Sequence, residues 1–255
     1  MILTDTHTHL YLGHFNADRD DVIHRAIEKG VKYMLIPNID RNSVEGMLEI
    51  CDKYPEHCFP MMGVHPTDVK RDYKEELRSV ETWLEKRKFI AIGEIGIDLY
   101  WDKTFLKEQE YCFKHQIELA NAYNLPIVIH SRESMDEIFS LLESIGSNLP
   151  KGVFHCFSGT LDEAKKAIDM GFLLGIGGVI TFKKSNLSEI GKKIDLKQLV
   201  LETDAPFLTP APFRGKRNES AYTYYVAKKI AELKEMEIEE VAKVTTENAK
   251  TLFKF

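Results

Sequence analysis

His7 and His9 place two imidazoles one residue apart near the start of the chain. On an extended segment, residues i and i+2 project to the same side, so both rings can face one metal ion. Further on, His65, Glu94, His130 and His155 each stand where a short apolar run stops, and Glu202 and Asp204 close the last such run. Imidazole and carboxylate together suit Zn2+, Mn2+ or Fe2+, while carboxylate-rich sites also take Mg2+. A catalytic ion usually takes about three protein ligands and keeps one position open. The residues here exceed that need, which predicts two divalent metal ions (Mg2+, or Zn2+/Mn2+). Glu94 is the natural bridge, because a carboxylate can offer one oxygen to each ion. Cys156 beside His155 invites a nucleophile–base pair, but adjacent strand residues point to opposite faces. His14, His24, His57 and His115 fall in loops or helical stretches and read as ordinary surface groups.

These side chains need a scaffold that delivers strand ends to one place. Apolar runs at 2–7, 31–37, 58–64, 89–95, 126–130, 152–155, 172–176 and 198–203 read as strands. Charged stretches with helical spacing lie between them, among others at 20–29, 73–87, 106–123, 134–144, 161–170 and 221–233. Strands alternating with helices predict parallel βα units. Eight of them in an unbroken chain favour a (β/α)8 TIM barrel, an α/β fold in which working residues sit at the C-terminal strand ends. An open dinucleotide-binding sheet is disfavoured, since no G-x-G-x-x-G follows the first strand. A last helix, about 237–255, is expected to pack outside the barrel.

Composition sets limits. The chain has 255 residues, 44% hydrophobic and 29% charged, which is ample for a large core in one domain spanning 1–255. Its net charge of −6 excludes a bulk basic surface as the means of recruiting a ligand. Cys51, Cys58, Cys112 and Cys156 are scattered without framework spacing, as suits free thiols in a reducing compartment. The N-terminus has no basic and apolar leader pattern, and no run approaches the ~18 apolar residues of a membrane span. Cytoplasm is the expected location.

The motifs together resemble the TatD-type metal-dependent deoxyribonucleases. The likeness runs from Asp5-Thr6-His7-Thr8-His9-Leu10 through Gly63-Val64-His65-Pro66, Ile92-Gly93-Glu94-Ile95-Gly96-Ile97-Asp98 and Ile129-His130-Ser131-Arg132. It continues through His155-Cys156-Phe157-Ser158-Gly159, Leu201-Glu202-Thr203-Asp204-Ala205-Pro206 and Arg214-Gly215-Lys216-Arg217-Asn218-Glu219 to Asn248-Ala249-Lys250-Thr251-Leu252-Phe253. The resemblance implies an amidohydrolase-like barrel and metal-dependent hydrolysis of DNA phosphodiesters. It further implies that His7, His9, Glu94 and Asp204 hold one metal and Glu94, His130 and His155 the second. His65, Arg132 and Glu202 would sit beside them. Ser220 and Leu99-Tyr100-Trp101 depart from the family pattern without touching a ligand position.

On this reading Asp204 orients a water or takes its proton, Arg132 grips a phosphate oxygen, and His65 binds the phosphate or protonates the leaving group. Lys183, Lys184, Arg214, Lys216 and Arg217 are candidates to guide a nucleic-acid backbone, and Tyr100 and Trp101 to stack on a base. A chain at −6 should grip few phosphates, which favours single-stranded or terminal DNA and an exonuclease, or a small phosphoester hydrolase. Two rivals stand beside it. A barrel hydrolase acting on a C–N or lactone bond often bridges its metals with a carboxylated lysine, and no lysine ends the fourth or fifth strand here. A noncatalytic metal or nucleic-acid binding protein would be expected to show a damaged ligand set.

Overall fold

The computed structural model describes residues 1–255. Its strands are β1 (Leu3–Asp5), β2 (Val31–Pro37), β3 (Cys58–Met61), β4 (Ile92–Asp98), β5 (Ile127–Arg132), β6 (Gly152–Phe154), β7 (Phe172–Ile176) and β8 (Leu199–Leu201). The helices are α1 (Arg19–Glu28), α2 (Val44–Lys53), α3 (Tyr73–Lys86), α4 (Leu106–Tyr123), α5 (Met135–Ile145), α6 (Leu161–Asp169), α7 (Leu187–Lys193), α8 (Thr223–Lys234) and α9 (Ile238–Phe253).

Neighbouring strands pair in parallel as β1-β2-β3 and β4-β5-β6-β7-β8. Backbone hydrogen bonds span both seams between these sheets. At one, Met62 N–H donates to Ala91 O at 3.1 Å and Gly93 N–H to Met62 O at 2.9 Å. At the other, Thr6 N–H donates to Leu201 O at 2.9 Å and His9 N–H to Ala205 O at 2.8 Å. The eight strands thus follow one another in chain order around a (β/α)8 architecture.

The two-residue period of the strands sorts the core. Met34, Ile36, Ile127, Ile129, Phe154 and Leu174 face the helices in the large apolar cluster. Their neighbours Leu35, Val128 and Val153 form a separate inner cluster with Met61, Ala91 and Val200. Ala249, Leu252 and Phe253 of α9 belong to this inner cluster. Asn248 Nδ2 also donates to Leu196 O and Leu199 O, at the start of β8. So α9 packs outside the barrel strands, with Val241 and Ala242 in the large cluster, and its C-terminal half closes the inner apolar cluster at the N-terminal end. The opposite mouth is left for polar side chains.

Helix boundaries have local causes. Thr160 caps α6 in a reciprocal capping box with Glu163, and α4 stops where Asn124 turns left-handed at φ 53°. β4 runs three residues past the expected end, so Glu94 lies inside it and all of Ile92–Asp98 is buried. This extension depends on Gly96 (φ 145°), where any Cβ would collide with the His130 carbonyl of β5. Helices α2 and α7 complete the alternation, though neither is among the stretches singled out in the sequence. α2 shows apolar residues at 44, 47, 48 and 51, a helical pattern, whereas seven-residue α7 is too short for periodicity to reveal.

Candidate metal centre and active site

The chain beyond β1 stays extended beside the chain beyond β8. Asp204 N–H donates to His7 O at 2.9 Å, and Thr8 bridges Ala205. Asp5 locks this junction, accepting from Thr203 N–H at 2.8 Å and Thr203 Oγ1–H at 2.7 Å. Burial pushes its carboxyl up to about 7, against those hydrogen bonds. His7, His9 and Asp204 are thereby fixed on one rim.

Glu94 stands at the centre, 2% exposed, and its two oxygens face different groups. Oε2 lies 3.0 Å from His7 Nε2 and 3.7 Å from His9 Nε2. Oε1 lies 2.7 Å from His130 Nδ1, 3.3 Å from His65 Nε2 and 3.5 Å from His155 Nε2. His9 Nε2 reaches Asp204 Oδ1 at 3.4 Å, and the His7 ring stacks on His155 with centroids 3.5 Å apart. Two sets of donor atoms that share Glu94 converge within 4.8 Å, His7 with His9 and His65 with His130; His7, His155 and Asp204 form another. His65 therefore lies nearer Glu94 and His130 than a place merely beside the ligands would require.

Hydrogen bonds fix which ring nitrogens face inward. Tyr11 donates its one hydroxyl proton to Pro37 O at 2.9 Å, so towards His9 Nδ1, 3.1 Å away, it can only accept. His9 thus carries its proton on Nδ1 and turns the Nε2 lone pair to the cluster. Asp98 Oδ2 accepts from His130 Nε2 at 2.9 Å, which turns Nδ1 inward. At His65, Thr67 Oγ1 lies 2.6 Å and the Thr67 backbone nitrogen 3.2 Å from Nδ1, which leaves Nε2 facing Glu94 and His130.

Electrostatics agree with a cation-demanding centre. Burial alone would raise the Glu94 carboxyl, but His65, His7, His155 and His130 hold it well below the usual range. Burial lowers His7 to about 4, aided by the neighbouring His155. Burial also opposes charge on His155, yet Glu202 and Glu94 outweigh it and raise that ring to about 10. His130 is raised too, its hydrogen bonds to Asp98 and Glu94 overcoming burial. Asp204 stays low despite burial because His9 and His155 face it. Protons on imidazole thus balance buried carboxylates where divalent cations would do so, and His7 Nδ1 is buried without a hydrogen-bond partner. The donor set of imidazole and carboxylate fits such ions.

The other expected residues fall into place around this centre or away from it. Glu202 is buried behind His155, 3.0 Å from Nδ1, and accepts from Cys156 N–H at 2.6 Å. Gly175 makes room for it, since a Cβ there would strike the Glu202 carboxylate. Cys156 and His155 do not point apart as adjacent strand residues would, because β6 ends at Phe154 and Cys156 turns left-handed at φ 44°. This brings its sulfur within 4.8 Å of the donor atoms of His155 and Glu202. Burial and the carboxylates of Asp204 and Glu202 push its thiol well above the ordinary value. Arg132 is exposed on the rim, its guanidinium 3.7 Å from the Tyr100 ring centroid. Arg217 is not free to guide a substrate backbone: it grips both Asp18 oxygens at 2.7 Å and covers Phe15. Arg214 lies over Phe182, 3.8 Å from its ring centroid. Sequence reasoning passed over Asp5, Tyr11 and Asp98, and of these only Asp5 and Asp98 carried a signal, each inside a motif that also holds a ligand candidate.

Comparison with known proteins adds the family context. The model described as TatD related DNase matches residues 4–254. The "Uncharacterized metal-dependent hydrolase YabD" of Bacillus subtilis is 41% identical, covering 99% of this chain and 99% of that protein. The "3'-5' ssDNA/RNA exonuclease TatD" of Pantoea ananatis is 31% identical over 94% of each. The crystal structure of the TatD homolog YJJV from Escherichia coli superposes with a TM-score of 0.92 at 30% identity, covering 99% of this chain and 98% of that one.

Proposed function

The chain belongs to the TatD-related DNase family of metal-dependent hydrolases, and from that premise we propose that it cleaves DNA phosphodiester bonds as an exonuclease on single-stranded or terminal DNA. The observation that carries this reading is Glu94, whose Oε2 serves the His7/His9 side and whose Oε1 serves the His65/His130/His155 side. A carboxylate so divided suits a pair of divalent cations, held by His7, His9, Glu94 and Asp204 and by Glu94, His130 and His155. Imidazole-rich donors favour Zn2+ or Mn2+, with Mg2+ as the alternative. Such ions supply Lewis-acid polarisation and charge neutralisation at phosphorus.

The chain's own groups do the rest. Asp204, ionised and 15% exposed at the rim, orients the attacking water and accepts its proton. His65, whose Nε2 faces the centre, binds the phosphate or protonates the leaving oxygen. Arg132, with no carboxylate within ion-pair distance, binds a non-bridging phosphate oxygen, while Glu202 acts from behind by orienting His155. All of 1–255 works as one hydrolase domain, and four unpaired cysteines suit the reducing cytoplasm.

The test is degradation of end-labelled single-stranded DNA by metal-loaded enzyme, run beside lactone and amide substrates. A ladder shortening from one end supports the proposal. Hydrolysis of the lactone or amide alone overturns it.

A further inference from the structure

We infer that the mouth carries a two-jawed nucleobase clamp, Trp101 with Tyr100 on one side and Phe207 on the other, which holds the unpaired bases flanking the scissile phosphate. This rests on the nucleic-acid reading above and goes past it to how the substrate is gripped.

The first ground is exposure. Tyr100 is 49% exposed, Trp101 69% and Phe207 46%, in a protein that buries most of its large apolar side chains. All three lie in loops that leave the C-terminal ends of strands, Tyr100 and Trp101 after β4 and Phe207 after β8. In a ring of eight these strands are four apart, so the jaws stand across the mouth from each other. Exposed aromatic surface facing a catalytic mouth from both sides calls for an aromatic or apolar occupant.

The second ground is rigidity. Asp98 Oδ1 accepts from Tyr100 N–H at 3.0 Å and Trp101 N–H at 3.2 Å, while Oδ2 holds His130. On the far side Phe207 N–H donates to Asp204 O at 2.8 Å, and Phe207 O accepts from buried Asn218 Nδ2 at 2.6 Å. Each ring is therefore set by backbone that is tied to the candidate metal centre. The Phe207 ring stands 6.4 Å from that of His9, and the Tyr100 and Trp101 rings meet edge to face at 4.9 Å.

The third ground is charge. The Arg132 guanidinium lies 3.7 Å from the Tyr100 ring centroid and 5.3 Å from that of Trp101, which puts a phosphate ligand beside a stacking face. Stacking is indifferent to base identity and needs few phosphate contacts, so it lets a chain of net charge −6 hold nucleic acid. Bases already stacked in a duplex cannot enter such jaws, and the clamp selects unpaired ends.

The experiment uses the full chain in chelator, where a strand can bind without being cut. Trp83→Phe leaves Trp101 as the single tryptophan reporter, since the chain has two. Tetrathymidylate is expected to quench Trp101 fluorescence, whereas a strand of equal length and charge with abasic linkers is not. Trp101→Ala and Phe207→Ala should each weaken binding of a labelled tetramer roughly tenfold and raise KM alike in the metal-loaded enzyme. Trp101→Phe, which keeps a ring, should restore most of it. Each alanine penalty should vanish when the abasic linker lies on that jaw's side. DNA cleavage with equal quenching by both strands, or with unchanged KM in both alanine variants, overturns the clamp and leaves the nuclease reading intact. Absence of both cleavage and binding overturns the two together.

Discussion

Asp98 joins His130 through a 2.9 Å hydrogen bond to Nε2, and both groups lie at the edge of the Glu94 cluster. The bond turns Nδ1 inward and fixes the ring. Carboxylates in this role typically change metal affinity ~10–100-fold when removed. Asp98→Asn keeps the shape and lets the amide nitrogen compete for the same place. Metal titration by calorimetry should show the tighter of two binding events weakened by about that factor, with far-ultraviolet circular dichroism unchanged. Unaltered affinity would remove Asp98 from the centre.

Glu94 serves both halves of the cluster, so its loss should be felt by both. Glu94→Gln keeps the volume but surrenders the negative charge that the surrounding imidazoles stabilise. The expected result is a fall in bound metal from two ions per chain to one or none in equilibrium dialysis. Turnover should fall at least about a hundredfold, as when a group stabilising charge in the transition state is lost. Wild-type turnover in this variant would sink the two-ion centre.

Much of this centre was legible because its ligand candidates are polar residues ending apolar runs. The runs at 31–37 and 172–176 and the helix at 106–123 match β2, β7 and α4 to the residue. Each is bounded by a turn or a change of period. Glu94 reads as a strand end in the sequence, whereas β4 continues to Asp98 past Gly96, which interrupts the apolar run. Glycine gives no apolar signal, so the continuation could not be read from hydropathy. The orienting residues were hidden for another reason. The Tyr11 hydroxyl is oriented by Pro37 O across 26 positions, Asp98 acts on His130 across 32, and Asp5 on Thr203 across 198. Pairings so distant in sequence leave no local spacing to detect.

A cation at this centre should stabilise the fold as well as serve chemistry. Ligand at a hundred times its dissociation constant adds about 2.7 kcal/mol to the folded state. For a chain of this size ~2–4 °C accompanies each kcal/mol, so dialysis against chelator should lower Tm by roughly 5–10 °C. Restoring Zn2+ or Mn2+ should recover both Tm and turnover. Scanning fluorimetry across a metal series measures the first, and an invariant Tm would count against resident ions.

Two arginines of similar sequence appeal should behave differently. Arg132 stands on the rim without a carboxylate partner, so Arg132→Ala should lower kcat/KM on DNA by about 10–100-fold with little change in Tm. Arg217 is spent on Asp18 and Phe15. Arg217→Ala should leave kcat/KM near wild type and cost about 1 kcal/mol in urea unfolding, as partly exposed ion pairs do. Reversal of the two phenotypes would overturn the assignment of Arg132 to substrate.

Gly175 offers a test of the support behind His155. A Cβ at this position would meet the Glu202 carboxylate and approach the His155 backbone. Gly175→Ala must therefore push Glu202 away from His155 Nδ1 and Cys156 N–H, the two groups it now engages. Overpacking of this kind costs ~1–3 kcal/mol, which a core of this size can absorb without unfolding. The expected variant is folded, with Tm lowered by several degrees, and binds metal roughly ten times more weakly. Glu202→Gln removes the same charge without the steric push and should reproduce the metal defect with a smaller loss of Tm. Agreement between the two in metal affinity, measured by competition with a chromophoric chelator, would assign the defect to Glu202. A Gly175→Ala chain with wild-type affinity would show that His155 needs no carboxylate behind it.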